Sequence, residues 1–341
     1  MKEKKELKIV YMGTPDFAVE PLRRLVEGGY HIVGVITMPD KPAGRGHKLQ
    51  FSAVKKYALE CALPILQPTK LKEESFIEAL RTWQADLQIV VAFRMLPEVV
   101  WNMPPMGTFN LHASLLPQYR GAAPINWAVI NGDKETGITT FFLEHQIDTG
   151  NIIQQEKIAI EETDDVGIVH DKLMNLGAEL VLKTVDALLA GTVKAIPQQQ
   201  LADAVTLRPA PKIFKETCRI NWAQSTTHVY DFLRGLSPHP VAWTLLEQGE
   251  ESLVFKIYQT QKMRADELLS IDTIAAKFDP IAIEKAVPGT IVCDEKKYLC
   301  IATSDGWIRV QSLQVPGKRR MDVEDYLRGY RGDPLETARF C

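Results

Sequence analysis

Apolar residues in the first half of the chain form short runs that alternate with segments of helical spacing. The runs predict strands over residues 7–12, 31–37, 86–93, 107–111 and 137–143. A 3.6-residue spacing predicts helices over residues 17–27, 52–62, 75–84, 96–102 and 165–189. This alternation is typical of an α/β fold with a doubly wound parallel sheet, and we expect the polar residues 38–51 to form a loop.

The second half of the chain has a different pattern. Residues 192–211 contain three consecutive glutamines and the sequence Pro209-Ala-Pro211, a composition typical of a linker. Beyond them, short apolar runs predict the strands of a small barrel, over residues 242–246, 253–259, 289–293, 298–303 and 307–313. We therefore predict two domains, residues 1–191 and 212–341, joined by this linker.

Composition and charge narrow the class of protein. A chain of 341 residues that is 45% hydrophobic can bury two cores. Its five scattered cysteines lack the paired spacing of zinc or redox sites, so we expect reduced thiols, a cytoplasmic location and no metal. The N-terminal region has no apolar stretch suited to a signal peptide or membrane span. A formal net charge of −3 argues against nonspecific coating of nucleic acid but allows a local basic groove.

The polar residues Asn110 and His112 are the strongest candidates for chemistry. If residues 108–112 form a strand, its period of two places both side chains on one face, near the carboxyl end where α/β sheets bind ligands. Asp148 follows the next predicted strand, so its carboxylate can meet the histidine. An amide suits stabilisation of an oxyanion, imidazole transfers protons near neutral pH, and the carboxylate would orient the imidazole or a water.

Each of these residues also has a structural interpretation. A histidine at a strand end often serves only as a hydrogen-bonding group, and Asp148-Thr-Gly150 is a sequence that also forms simple turns. His145 lies close by in sequence, and we expect it on the surface. The first strand-to-helix turn, Gly13-Thr-Pro-Asp-Phe-Ala18, lacks the G-x-G-x-x-G spacing of dinucleotide sites, so we predict no nicotinamide or flavin cofactor.

The sequence Asn110-x-His112-x-Ser-Leu-Leu-Pro117-x-Tyr-Arg-Gly121, with Asp148-Thr-Gly150, resembles the formyltetrahydrofolate-dependent formyltransferase family. The resemblance covers nearly the whole chain and implies a Rossmann-like catalytic domain and a C-terminal OB-like β-barrel. It implies that Asn110, His112 and Asp148 are catalytic and that 10-formyltetrahydrofolate is the formyl donor. It also implies folate contacts for four residues of the motif, Ser114, Leu115, Leu116 and Pro117.

Three further segments resemble the family members that act on tRNA: Gly13-Thr-Pro-Asp-Phe-Ala18, Pro39-Asp-Lys-Pro-Ala-Gly-Arg-Gly46 and Gly121-Ala-Ala-Pro-Ile125. The implied acceptor is the α-amino group of initiator methionyl-tRNA, which would be formylated for translation initiation. The implied tRNA contacts are Arg45 in the loop and the basic residues Lys318, Arg319 and Arg320 in the C-terminal domain. By charge alone, a solvated loop is the favoured interpretation of the first segment, and a solvated turn is the alternative for the second. We predict no obligate protein partner and no membrane association.

Several alternatives share the Asn, His and Asp. Within the superfamily they are a sugar-nucleotide N-formyltransferase, a glycinamide ribonucleotide formyltransferase and a hydrolase of formyltetrahydrofolate. A catalytically silent tRNA-binding module is an alternative of a different class. The segment Ala92-Phe-Arg-Met-Leu-Pro97 is one residue shorter than in many members, which leaves the contacts of Arg94 with the pterin open.

Overall fold

A computed structural model describes residues 3–43, 48–202 and 206–341. The described chain forms two compact units, each assembled from several segments. Unit 1 comprises Met1–Pro124, Glu135–Ala159 and His170–Pro211, and unit 2 comprises Ile125–Lys134, Ile160–Val169 and Lys212–Cys341.

Within the described residues, unit 1 contains nine strands and most of the helices that connect them. The helical residues 125–130 and 166–169 belong to unit 2. The strands are β1 (Lys8–Gly13), β2 (His31–Ile36), β3 (Lys41–Ala43), β4 (Lys48–Gln50), β5 (Ile65–Leu66), β6 (Leu87–Val91), β7 (Thr108–His112), β8 (Glu135–Phe142) and β9 (Ile152–Ala159). The helices up to the end of unit 1 are α1 (Val19–Glu27), α2 (Ala53–Glu60), α3 (Glu74–Thr82), α4 (Glu98–Trp101), α5 (Pro124–Ile130), α6 (Val166–Leu189) and α7 (Gln199–Ala202). A 3-10 turn, Asp16–Ala18, precedes α1.

Seven of these strands form one sheet, in the order β5-β2-β1-β6-β7-β8-β9. The first five in that order pair in parallel, which confirms the α/β prediction. Every residue of β6 is buried, as expected for a central strand covered on both faces. The prediction was incomplete at one edge, where β8 and β9 pair antiparallel. Apolar periodicity does not encode strand direction, and the polar residues of β9 hide its pattern.

The segment that we expected to be a loop, residues 38–51, contains two short strands instead. β3 and β4 pair antiparallel, with Lys41 opposite Gln50. Strands of three residues give too few alternations for periodicity to reveal them. Arg45, the tRNA contact implied by the resemblance, lies between these strands and outside the described residues.

Unit 2 contains a second sheet of seven strands. They are β10 (Ala242–Gln248), β11 (Glu251–Met263), β12 (Ile291–Cys293), β13 (Leu299–Ala302), β14 (Trp307–Gln314), β15 (Met321–Asp322) and β16 (Arg339–Phe340). The order is β12-β13-β14-β11-β10-β16, with β15 beside β14 and all pairs antiparallel. A bridge between Thr290 and Arg339 links the two edges, so the sheet is nearly closed as a barrel. This confirms the predicted C-terminal barrel.

The helices of unit 2 are α8 (Thr226–Leu236), α9 (Ala265–Leu269), α10 (Asp272–Ala275), α11 (Pro280–Glu284) and α12 (Val323–Gly329). Helix α8 begins where the Ser225 side chain accepts a hydrogen bond from the backbone N–H of His228, at 3.3 Å. Its apolar face packs into the barrel core with the rings of Trp222, Phe255 and Phe340.

The cysteines are free thiols in the structure. Burial raises the pKa of the Cys293 thiol to about 11 and that of Cys300 to about 12, because the interior disfavours the thiolate. Both are therefore small core side chains. Among the described helices, none is long and apolar enough to cross a membrane.

A buried ion pair connects α8 to residues 160–169 of unit 2. The Arg234 guanidinium donates from Nε to Asp231 Oδ1 at 2.7 Å, and from Nη1 to the carbonyl oxygens of Glu161 and Asp164. Arg234 is 5% exposed. Helix α12 has an ion pair of the same spacing, Asp325 with Arg328, but there both side chains are mostly exposed.

We expect Arg234→Met to lower the free energy of unfolding by about 3–5 kcal/mol, because it leaves a buried carboxylate and two carbonyl groups without their partner. The matched change Arg328→Met should cost less than about 1 kcal/mol, because water solvates the exposed pair. Urea denaturation of the three proteins measures both. Equal losses of unfolding free energy in the two variants would contradict a larger stabilising role for the buried pair.

Candidate functional site

His112 ends strand β7 and is held by the chain that follows it. Its Nε2 lies 2.9 Å from the carbonyl oxygen of Tyr119. A carbonyl only accepts, so Nε2 carries a proton and, in the neutral ring, Nδ1 is the basic nitrogen. The ring is 6% exposed and packs edge-on against Phe141. The imidazole is therefore fixed in orientation and in tautomer.

Asp148 faces the other nitrogen of this ring. Its Oδ2 lies 4.0 Å from His112 Nδ1 and accepts a hydrogen bond from the backbone N–H of Gly121 at 3.0 Å. The structure thus brings together two residues that the sequence separates by a strand. A distance of 4.0 Å is too long for a direct hydrogen bond, but a small polar group can bridge it.

Asn110 lies two residues before His112, on the same face of β7, between Val90 of β6 and Phe141 of β8. Its side chain is partly exposed. Within the part of the chain that the structure describes, the Asn110 side-chain amide has no hydrogen-bond partner, so its N–H groups are available to a ligand. An amide donor beside a buried imidazole and a carboxylate can stabilise an oxyanion and relay a proton, which is the chemistry of acyl transfer.

Two backbone groups also contribute to this site. A search of the sequence for chemically distinctive side chains cannot find them. They are the carbonyl of Tyr119, which orients His112, and the N–H of Gly121, which holds Asp148. Both residues have positive φ, +58° for Tyr119 and +129° for Gly121. A Cβ at Gly121 would lie 2.4 Å from the carbonyl oxygen of Ala210, so only glycine fits. The Tyr-Arg-Gly motif was the one sequence signal of this turn.

The segment Ser114, Leu115, Leu116 and Pro117, expected to contact folate, is held in place by hydrogen bonds to neighbouring residues. The Ser114 hydroxyl donates to the carbonyl of Gln118, and the Thr139 hydroxyl bonds both the carbonyl of Ser114 and the N–H of Leu116. Ser114 and Leu116 are 0% and 1% exposed. A ligand would therefore meet the partly exposed Leu115 or the segment's backbone before either of these two side chains.

Arg94 follows β6 at the same end of the sheet. Its guanidinium donates to the carbonyl oxygens of Thr69, at 2.8 Å, and of Pro68. Burial lowers the pKa of Arg94. These hydrogen bonds hold the loop before α3 in place. The guanidinium therefore has a structural role in this chain.

The base of the β3–β4 hairpin is anchored by three side chains. Lys55 donates to Asp40 and, at 2.8 Å, to Gln67, whose amide donates to the other oxygen of Asp40. Its hydrogen bond with the Lys55 ammonium lowers the pKa of the Asp40 carboxyl below the usual value for aspartate. The hairpin that carries Arg45 is thus tied to α2 at its base.

The basic residues Lys318, Arg319 and Arg320 form an exposed turn between β14 and β15. Arg320 donates to the Ser312 hydroxyl at 2.9 Å, and its guanidinium stacks on the Tyr258 ring, 4.6 Å from the centroid. Tyr258, which the sequence pattern did not single out, gives this surface an aromatic face beside its positive charge. Such a combination suits contact with RNA.

His145 is not part of the site. It is mostly exposed, with its Nε2 3.7 Å from Glu98 and its ring against Trp101. Among residues 3–43, 48–202 and 206–341, no group of three or more His, Cys, Asp or Glu side chains is arranged to hold a metal ion.

Comparisons with known proteins agree with this fold. The Formyl transferase model matches residues 7–185, and the Formyl transferase, C-terminal domain model matches residues 212–331. The chain is 64% identical over 329 residues to methionyl-tRNA formyltransferase of Bacteroides fragilis, covering 96% of each protein.

Two solved structures share the fold at low sequence identity. One is an N-formyltransferase from Helicobacter canadensis in complex with folinic acid and dTDP-3-aminofucose, with 18% identity, a TM-score of 0.60 and coverage of 89% of this chain and 98% of that one. The other is HypX from Aquifex aeolicus in complex with tetrahydrofolic acid, with 17% identity and a TM-score of 0.59. There the match covers 96% of this chain but only 48% of HypX, about half its length.

The two-part fold and the amide, imidazole and carboxylate at the carboxyl end of β7 define a group-transfer enzyme. The family models and the identity over nearly the full length make the class specific: the chain belongs to the formyl transferase family.

Proposed function

We propose that the protein transfers the formyl group of 10-formyltetrahydrofolate to the α-amino group of initiator methionyl-tRNA, in the cytoplasm, for translation initiation. The observation that carries this is the 64% identity to a methionyl-tRNA formyltransferase across both units. The charged elements are consistent with it, because exposed basic residues lie on both units: Lys41 of the hairpin on unit 1, and Lys318 to Arg320 on unit 2. We keep the predicted domain limits, residues 1–191 and 212–341 with the linker 192–211, as part of the proposal.

The residues of the site fit a formyl donor. 10-Formyltetrahydrofolate supplies an electrophilic carbonyl carbon, whose oxygen gains negative charge when an amine attacks. The available N–H of Asn110 is suited to donate to that oxygen. We assign folate contact to the segment from Ser114 to Pro117, which hydrogen bonds to Gln118 and Thr139 hold in a fixed shape.

We assign proton transfer to His112 and Asp148. The incoming amine must lose a proton as its new C–N bond forms, and Nδ1 of His112 is the free basic nitrogen. The 4.0 Å between Nδ1 and Asp148 Oδ2 can admit the amine or a water, so the carboxylate can orient the group that gives up the proton. No covalent enzyme intermediate is required.

The substrate can be identified directly by offering the enzyme a labelled formyl donor. Initiator methionyl-tRNA, free methionine and an amino-sugar nucleotide are tested in parallel, and we expect label on the tRNA alone. Label on the sugar nucleotide would overturn the proposed acceptor. Release of formate without any amine would instead identify a hydrolase.

We expect Asn110→Ala or His112→Ala to lower turnover by about two orders of magnitude or more, because each removes a group that acts in the transition state. Affinity for tRNA should change little, as measured by a filter-binding assay. The control is His145→Ala, which removes an exposed histidine. Unchanged turnover in His112→Ala, or a collapse of tRNA affinity, would contradict the catalytic assignment. A wild-type protein that binds tRNA but shows no turnover would favour the silent tRNA-binding module.

The proposed tRNA contacts can be tested through their dependence on salt. We expect Arg45→Ala, and separately Arg319→Ala, to raise the KM for tRNA and to lower the slope of log affinity against log salt by about one, as for a lost phosphate contact. Lys72→Ala, which removes the charge of another exposed lysine, is the control. An unchanged slope for a variant would remove its residue from the tRNA surface.

A further inference from the structure

We propose that Gln198 is a positioning residue for the transfer reaction and that it sets the geometry of Asp148. This inference rests on the proposed function and concerns the same site. Gln198 belongs to the predicted linker, in a run of three glutamines that composition alone marks as a solvated connection. In the structure, however, it is 2% exposed, and both ends of its amide are engaged within unit 1.

The two ends of the amide contact different parts of the site. Nε2 donates to the carbonyl oxygens of Asp148 and Gly150, each at 2.9 Å. Oε1 accepts from Nε and Nη2 of Arg120, at 3.0 and 2.7 Å. Arg120 immediately follows Tyr119, which orients His112, and precedes Gly121, which holds the Asp148 carboxylate. One side chain therefore joins the two loops that fix the histidine and the aspartate.

The loop that Gln198 holds has an unfavourable backbone conformation. Asp148 lies in the left-handed region, at φ +55°, which costs free energy for a residue with a side chain. A Cβ at Gly150 would lie 1.7 Å from the carbonyl oxygen of Phe142, so the chain there is pressed against β8. Such a conformation persists only when its surroundings enforce it. The two hydrogen bonds from Gln198, on either side of Thr149, supply this constraint.

Other residues of the segment pair with the same two loops. Ile196 forms a bridge with Ile152, just beyond Gly150. Further along, Arg208 accepts at its carbonyl from the N–H of Tyr119 at 2.8 Å, and Ala210 exchanges backbone hydrogen bonds with Arg120 and Ala122. The linker thus serves as one wall of the catalytic site before it reaches unit 2, and Gln198 is its contact with Asp148.

Two substitutions separate the roles of the amide. Gln198→Leu removes all four hydrogen bonds, whereas Gln198→Glu keeps an acceptor for Arg120 but places a carboxylate against two carbonyl oxygens. We expect both to lower kcat by about 10- to 100-fold, because displaced reacting groups lose their alignment. The KM values for tRNA and folate should stay within about twofold of wild type, because a side chain that is only 2% exposed has almost no surface with which to contact either substrate.

The Glu variant adds a readout that a purely structural role would not change. A protonated carboxyl can donate to one of the two carbonyls, so the ratio of wild-type to Gln198→Glu kcat should be smaller at about pH 6 than at about pH 8. The matched control is Gln200→Glu, which makes the same change two residues away at an exposed position and should retain wild-type kcat. Circular dichroism and thermal unfolding are measured on each variant.

The outcomes separate this inference from the proposed function. If the wild-type enzyme does not formylate methionyl-tRNA, the proposed function fails, whatever the variants do. If the wild type is active and both Gln198 variants match its kcat, or if only KM rises, the positioning role is wrong. A kcat ratio for Gln198→Glu that does not change with pH, in a protein that unfolds like wild type, would also overturn it.

Discussion

The candidate site depends on one constraint, the hydrogen bond between the Asp148 carboxylate and the backbone N–H of Gly121. This bond joins the loop after β8 to the turn after β7, and the same turn presents the Tyr119 carbonyl to His112. The Asp148 carboxylate and the His112 imidazole are therefore aligned by backbone groups of a single turn. Since that turn and the Asp148 loop both contain positive-φ residues, the alignment needs support from outside the strands. Ile196, Gln198, Arg208 and Ala210 provide it.

The parts of the molecule that follow from periodicity were accessible from the sequence. Buried runs located β1, β2, β6 and β7, and a period of two placed Asn110 and His112 on one face of β7. The antiparallel direction of β8 and β9 was not accessible, because apolar spacing is the same for either direction. The three-residue strands of the hairpin were missed because they are too short to show a period.

The sequence allowed us to predict the side chains of the candidate site but not its backbone groups. Asn110, His112 and Asp148 stood out because their chemistry is distinctive, whereas the carbonyl of Tyr119 and the N–H of Gly121 exist at every residue and become functional through conformation alone. Gln198 was hidden for a different reason. Glutamines and prolines are typical of solvated connections, and composition does not reveal that one amide in such a stretch is buried with every polar atom paired.

The anchored base of the hairpin has a consequence for the kinetics of recognition. Lys55, Asp40 and Gln67 fix the residues on either side of β3 and β4 to helix α2 in the free protein. These residues lose their conformational entropy during folding, before RNA binds. That entropic cost therefore does not reduce the free energy of RNA binding. Under the proposed function, a hairpin whose base is ordered in advance can meet tRNA at a rate set by diffusion and charge rather than by a search through conformations of that base.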